Sequence, residues 1–205
     1  MLDALMRRLI EPPLASAAKR VAPRVGADAL TFVGLACGLA AAGAVAAGAF
    51  GLALVLFAAN RVLDGLDGAV ARETVRTDRG GFVDIVFDFA VYGAIPLAFA
   101  LRDPANALPA AVLLAAFYLN GASFLAFAAV AARRGVESRL WGDKAIYFTA
   151  GIAEGTETIL FFAAMMLFPG WFWLLAYAFA GLTLMSAVAR IVIGWHAFRD
   201  EPEEE

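Results

Sequence analysis

The sequence predicts an all-α integral membrane protein: a six-transmembrane-helix bundle preceded by an N-terminal interfacial amphipathic helix. Three observations predict it. The 205 residues are 62% hydrophobic and only 17% charged, against about 25% charged in a soluble domain. The apolar residues gather into six runs, at about 28–49, 52–72, 80–101, 107–131, 145–168 and 171–197. Each is long enough to cross a bilayer, for which roughly 20 apolar residues suffice as a helix. Third, the basic residues fall between those runs on one side only, as the positive-inside rule requires of a multi-pass chain.

Taken in order, the chain opens with Leu2, Leu5, Met6, Leu9 and Ile10 at helical spacing beside Arg7 and Arg8. That pattern suits a short helix lying in the membrane interface and ended by Pro12-Pro13. Residues 1–25 therefore read as an interfacial segment, 26–198 as one transmembrane domain with short connections, and 199–205 as a solvated acidic tail. The first twenty-five residues are interrupted by charges, among them Arg7, Arg8, Glu11, Lys19, Arg20 and Arg24, and hold no sustained apolar core, so no cleavable signal peptide is expected. Cys37 lies in the first run and is expected to be a buried, inert thiol; as the single cysteine it has no intrachain partner. Trp141, Trp171, Trp173 and Trp195 fall near run ends, where indole rings favour the headgroup layer. His196, beside Trp195, reads as an interface residue, dispensable together with the tail.

Orientation follows from the sixteen basic residues. Five lie in the N-terminal segment, three in the loop after the second run (Arg72, Arg76, Arg79) and four after the fourth (Arg133, Arg134, Arg139, Lys144). The opposite side holds only Arg102. Both termini and both basic loops are therefore expected in the cytoplasm. Because the charges are segregated, the net charge of −3 says little about partners. Nothing resembles a nucleic-acid-binding patch, and no nucleic-acid partner is expected.

An ionisable side chain inside a span is costly and points to function. Here they are numerous: Arg61, Asp64 and Asp67 in the second run, Asp84 and Asp88 in the third, Glu154 and Glu157 in the fifth, Arg190 in the sixth. Asp64 and Asp67 are three apart and Asp84 and Asp88 four apart, so each pair shares a helix face. At 1.5 Å per residue the four aspartates lie roughly 6–13 Å inside the cytoplasmic face, with Arg61, Glu154 and Arg190 at about 12–17 Å. Four carboxylates in one low-dielectric layer repel each other unless cations offset them. Hard oxygen ligands grouped this way suit Mg²⁺ or Mn²⁺, and paired divalent ions are a common device for displacement at phosphorus. Gly65, Gly68, Ala69, Ala71, Gly80 and Gly81 surround the acids; such small residues serve close helix packing and also admit a nucleotide to the backbone. Arg72, one turn beyond Gly68, is placed to meet a phosphate. Glu154 and Arg190 are expected to border an acceptor cavity beside the aspartates, with Glu157 deeper.

The stretch Asp64-Gly-Leu-Asp67-Gly68-Ala-Val-Ala71-Arg72 followed by Gly80-Gly-Phe-Val-Asp84-Ile-Val-Phe-Asp88 resembles the signature of the CDP-alcohol phosphatidyltransferases. That signature runs Asp-x-x-Asp-Gly-x-x-Ala-Arg, eight residues, Gly-x-x-x-Asp-x-x-x-Asp. Here seven residues separate Arg72 from Gly80, which leaves open whether Gly80 or Gly81 faces the nucleotide. Asp28-Ala-Leu-Thr31 is similar to the family's Asn-x-Leu-Thr. The six runs and amphipathic leader also resemble that family's fold. The resemblance implies a CDP-linked donor, an alcohol acceptor, release of CMP and dependence on divalent metal, with two ions per site. It implies Asp64, Asp67, Asp84 and Asp88 as metal ligands and Asp88 as the base that takes the acceptor's proton. Asp64, Asp67, Gly68, Ala71, Arg72 and Gly80, together with Thr31, are implied on the donor. It further implies a homodimer.

CDP-diacylglycerol is the expected donor, because acyl chains can enter between helices. A CDP-choline or CDP-ethanolamine donor with a lipid alcohol as acceptor is the alternative within the family. The basic loop of Arg133, Arg134, Arg139 and Lys144 could attract a phosphorylated acceptor, and Glu154 and Glu157 an amine-bearing one. A cation transporter lined by aspartates is the rival from another class. It explains buried carboxylates but not the interleaved glycine, alanine and arginine.

Overall fold

The computed structural model describes residues 2–134 and 155–199, with side chains from Ile10 onward. Among them all regular structure is helical. The helices are α1 (Leu2–Val21), α2 (Ala27–Ala46), α3 (Phe50–Glu73), α4 (Asp78–Arg102), α5 (Ala107–Arg133), α6 (Gly155–Leu167) and α7 (Phe172–Ala197). Trp141, Arg139, Lys144 and Glu154, and the tail 201–205 expected to be dispensable, lie outside the described residues.

Four stretches are long and apolar enough to cross a membrane: Ala27–Ala46, Asp78–Arg102, Pro104–Arg133 and Pro169–Ala197. The last two include the one-turn 3₁₀ helices at Pro104–Asn106 and Pro169–Trp171. α3 is 24 residues long but carries Arg61 at its middle and Asp64 and Asp67 beyond it. α6 is apolar, and its 13 described residues fall short of a span.

α1 departs from expectation. Pro12 and Pro13 do not end it; they lie inside a helix that continues to Val21. Two prolines remove two backbone donors and crowd the preceding turn. Burial of the second half offsets that cost: Ala18 is fully buried against Leu30, Ala69 and Val70, with Leu14 and Val21 packed around them. Cys37 is half-buried, not buried as expected. It flanks the packed face of α2, which Gly34, Gly38, Ala41 and Val45 form at helical spacing.

The end of the bundle away from the aspartates is closed by a turn and an aromatic stack. Gly48 turns the chain from α2 into α3 at φ 78°, a conformation a side chain would strain. The Arg102 guanidinium rests 2.8 Å from where its Cβ would stand. Phe99 stacks on Phe172 with ring centres 4.3 Å apart. Phe57, Phe162 and Phe179 extend this fully buried aromatic core down the bundle axis. Outward faces carry large apolar side chains, among them Val55, Leu101 and Tyr118, as a lipid-facing surface requires. Trp171, Trp173 and Trp195 are more than half exposed at the two ends of α7.

α5 lies close against α7, and α2 lies close against both α3 and α4. Gly38 allows this, since a Cβ there would lie 2.4 Å from Val91 Cγ2 and 3.1 Å from Asn60 Nδ2. Val91 is buried and cannot move aside. Gly38→Ala is therefore expected to destabilise the protein by about 1–3 kcal/mol through overpacking, read as a lower melting temperature in detergent. Gly43→Ala is the control, because nothing lies within 4 Å of that position. Equal melting of the two variants would contradict the close approach of α2 and α4.

Candidate active site

Asp64 and Asp67 sit one turn apart on α3, Asp84 and Asp88 one turn apart on α4, and the two pairs face each other. α2 supplies the third wall through Thr31 and Gly34. All four aspartates line one small cleft together with Thr31, Asn60 and Arg61. The cleft is graded in exposure. Asp67 is 6% exposed, whereas the Asp64 and Asp88 side chains are 34% and 30% exposed.

Each acid has a definite local setting. Thr31 Oγ1 donates to Asp67 Oδ2 at 2.6 Å and also lies 3.1 Å from the Ala27 carbonyl. Arg61 Nη2 donates to Asp88 Oδ1 at 2.9 Å, and Nη1 stands 3.7 Å from Asp64 Oδ2. Four carboxylates facing one cleft are a donor set that fits a hard divalent cation. Among the described residues no three acids converge tightly enough to form a ready-made metal site.

The nucleotide positions divide. Gly68 and Arg72 line a larger cavity that shares Asp64, Asp84 and Asp88 with the cleft. Arg72 folds back over Gly68, with Nη1 3.7 Å from where a Cβ would lie. Ala71 and Gly80 border neither space. Gly80 is held at the start of α4, where Thr77 caps the helix by accepting from its N–H at 3.0 Å. A Cβ on Gly80 would meet Thr77 Oγ1 at 3.1 Å and Asp28 Oδ1 at 3.5 Å, while Gly81 faces open space. Asp28 itself pairs with Arg79, tying the beginnings of α2 and α4 together.

The larger cavity measures about 980 Å³. It runs from the aspartates past apolar walls of Ile85, Phe89, Leu114, Phe117 and Phe124 to a polar far side at Asn120, Thr183 and Arg190. Gly121 lets α5 approach α4, since a Cβ there would collide with the Phe89 ring at 2.3 Å. Arg190 is 6% exposed, and its Nη1 donates to Asn120 Oδ1 at 2.9 Å and to Ser123 Oγ at 3.0 Å. Thr183 and Arg190 line this cavity, while their Oγ1 and Nε atoms are themselves buried and have no hydrogen-bond partner among the described residues. Glu157 is half-buried and does not line the cavity. His196 is exposed near the end of α7.

Sequence reasoning missed Asn60, Asn120 and Thr183. The available signal was a neutral polar residue within an apolar run, which is weaker than a charge. Asn60 is 3% exposed, donating to the Gly34 carbonyl at 2.9 Å and accepting from Arg61 Nε at 2.7 Å.

The CDP-alcohol phosphatidyltransferase family model matches residues 24–195. The chain is also similar to the inner membrane protein YnjF of Escherichia coli (strain K12). The two are 43% identical over 197 residues, which covers 95% of this chain and 96% of that protein.

Proposed function

Because the chain belongs to the CDP-alcohol phosphatidyltransferase family, enzymes that transfer phosphate-containing groups, we propose that it moves a phosphatidyl group from CDP-diacylglycerol to a hydroxyl acceptor. CMP leaves, and the product is a phosphodiester in phospholipid synthesis. The observation that carries this reading is the continuity of an acidic cleft with an apolar-walled cavity of about 980 Å³. That cavity lies at the upper end of the usual ligand-site range, about 300–1,000 Å³. A diphosphate can sit at the aspartates while acyl chains lie against Phe89, Phe117 and Phe124.

The residues take the following parts. Asp64, Asp67, Asp84 and Asp88 would hold Mg²⁺ or Mn²⁺, two ions per site, and such ions neutralise the diphosphate. Thr31 orients Asp67 through its 2.6 Å hydrogen bond. Gly68 leaves room for the nucleotide at the cavity edge, and Arg72 beside it meets a donor phosphate. Ala71 and Gly80 act through packing, Gly80 by letting the α4 N-terminus close on Asp28. Arg61 occupies Asp88 Oδ1, so Asp88 Oδ2 takes the acceptor's hydroxyl proton. The acceptor oxygen then bonds to the phosphorus that bears the diacylglycerol, and the bond from that phosphorus to the CMP oxygen breaks. The setting we propose is a six-span bundle with α1 lying in the interface, both termini and the site cytoplasmic, and two copies per assembly. The basic loops support the sidedness and the membrane name of the similar protein supports the location.

The far side of the cavity is the acceptor's side in this reading. Thr183 and Arg190 both line it, and a polar headgroup would meet them there. Arg190→Gln is expected to raise the acceptor KM about tenfold or to change acceptor preference, given the usual worth of a charge-assisted hydrogen bond. The donor KM should stay within about threefold. A variant that melts earlier but keeps wild-type kinetics would place the acceptor elsewhere. The test of donor and acceptor class is mass spectrometry of the lipids formed from CDP-diacylglycerol in a mixture of alcohols. New phosphatidyl lipid supports the reading. Product formed only from CDP-choline or CDP-ethanolamine with a lipid alcohol overturns the choice of donor.

A further inference from the structure

Arg61 stands in the wall shared by the cleft and the cavity, one turn before Asp64 on α3. Its side chain is 9% exposed, and all three guanidinium nitrogens have partners. Nε donates to Asn60 Oδ1 at 2.7 Å, Nη1 to the Tyr92 hydroxyl at 3.2 Å, and Nη2 to Asp88 Oδ1 at 2.9 Å. The Tyr92 ring centre lies 5.4 Å from the guanidinium carbon and that of Phe57 5.9 Å. Asn60 is itself anchored to the Gly34 carbonyl on α2. One cation is thus fixed by groups on α3 and α4, with α2 bracing Asn60 behind it, and its charge lies beside Asp64 and Asp88.

An arginine needed only to join helices would not have to stand between two members of an acid cluster. At 2.9 and 3.7 Å it competes with any divalent ion for the same carboxylate oxygens. It also settles which oxygen of Asp88 remains available. We propose that Arg61 is the positioning residue for Asp88 and a resident cation of the acidic cleft: it fixes Asp88 Oδ1 and weakens divalent-ion binding. The role given to Asp88 rests on the phosphatidyltransferase reading; the competition with divalent ions does not.

The test uses the full chain in detergent micelles, as wild type, Arg61→Gln and Arg61→Lys. Mn²⁺ binding is measured without donor by electron paramagnetic resonance, and kcat and both KM values by CMP release. Without the cation, Arg61→Gln should bind Mn²⁺ about tenfold tighter. Its kcat should fall about a hundredfold with the donor KM within about threefold. Arg61→Lys keeps the charge but not the fork, so its Mn²⁺ affinity should stay near wild type while kcat falls about tenfold. Unchanged Mn²⁺ affinity in a folded Arg61→Gln overturns the resident cation. Unchanged kcat in both variants overturns the positioning role. If Arg61→Gln does not fold, Arg61→Lys still decides: a lower kcat at constant KM supports positioning, and wild-type kinetics reject it. Wild type that releases no CMP from any donor would defeat the transferase reading alone, leaving the Mn²⁺ comparison intact.

Discussion

In Asp88→Asn, turnover is expected to fall about a thousandfold while CDP-donor affinity stays within a few-fold. In the proposed mechanism the substitution removes the group that takes the acceptor's proton, a contribution usually of about 10²–10⁴ in rate. It keeps the shape of the side chain and an oxygen that can still accept from Arg61 Nη2, now 2.9 Å from Asp88 Oδ1. The buried guanidinium therefore keeps a partner, and folding should survive, which a melting curve in detergent checks. Single-turnover measurement with bound donor separates the chemical step from binding. CMP release at the wild-type rate would remove Asp88 from the role of base.

Asp67→Ala should behave differently, losing metal and nucleotide together. Asp67 is the deepest of the four acids at 6% exposure. Thr31 on α2 fixes it from a second helix. Groups that merely orient a metal ligand cost about 10–100-fold in affinity when removed. Losing the ligand itself should cost at least on the order of a hundredfold for both Mn²⁺ and CDP in calorimetry. Unchanged affinity for the two would show that Asp67 only packs against Thr31.

Much of this site was legible in the sequence because its parts are local. The Asp64/Asp67 and Asp84/Asp88 spacings put each pair on one face before any fold is known, and the structure turns all four into one cleft with Thr31. Arg61, Arg72 and Arg190 stood out as charges in or beside apolar runs, and all three border the larger cavity. What was not legible depends on pairing between helices. No local spacing says that Arg61 reaches across to Asp88, or that Asn60 bonds to Gly34 on α2. Asn120 and Thr183 are neutral, so they barely disturb the hydropathy of their runs. The continuation of α1 past Pro12 and Pro13 was invisible for a similar reason. Local rules end a helix at such a pair, while contacts of Ala18 with Ala69 and Val70 extend it. Which of Gly80 and Gly81 is crowded by its neighbours was likewise a tertiary matter: Asp28 and Thr77 stand against Gly80, while Gly81 faces open space.

The central claim is that the acidic cleft serves group transfer and not ion passage. The direct measurement is CMP release by purified protein given CDP-diacylglycerol and a mixture of alcohols, with and without a divalent-metal chelator, beside Mn²⁺ flux in proteoliposomes. Group transfer predicts CMP formation that needs both the alcohol and the divalent ion, stops with chelation and is accompanied by no flux. Mn²⁺ flux through wild type that Asp67→Ala abolishes, with no CMP formed under any condition, would contradict it.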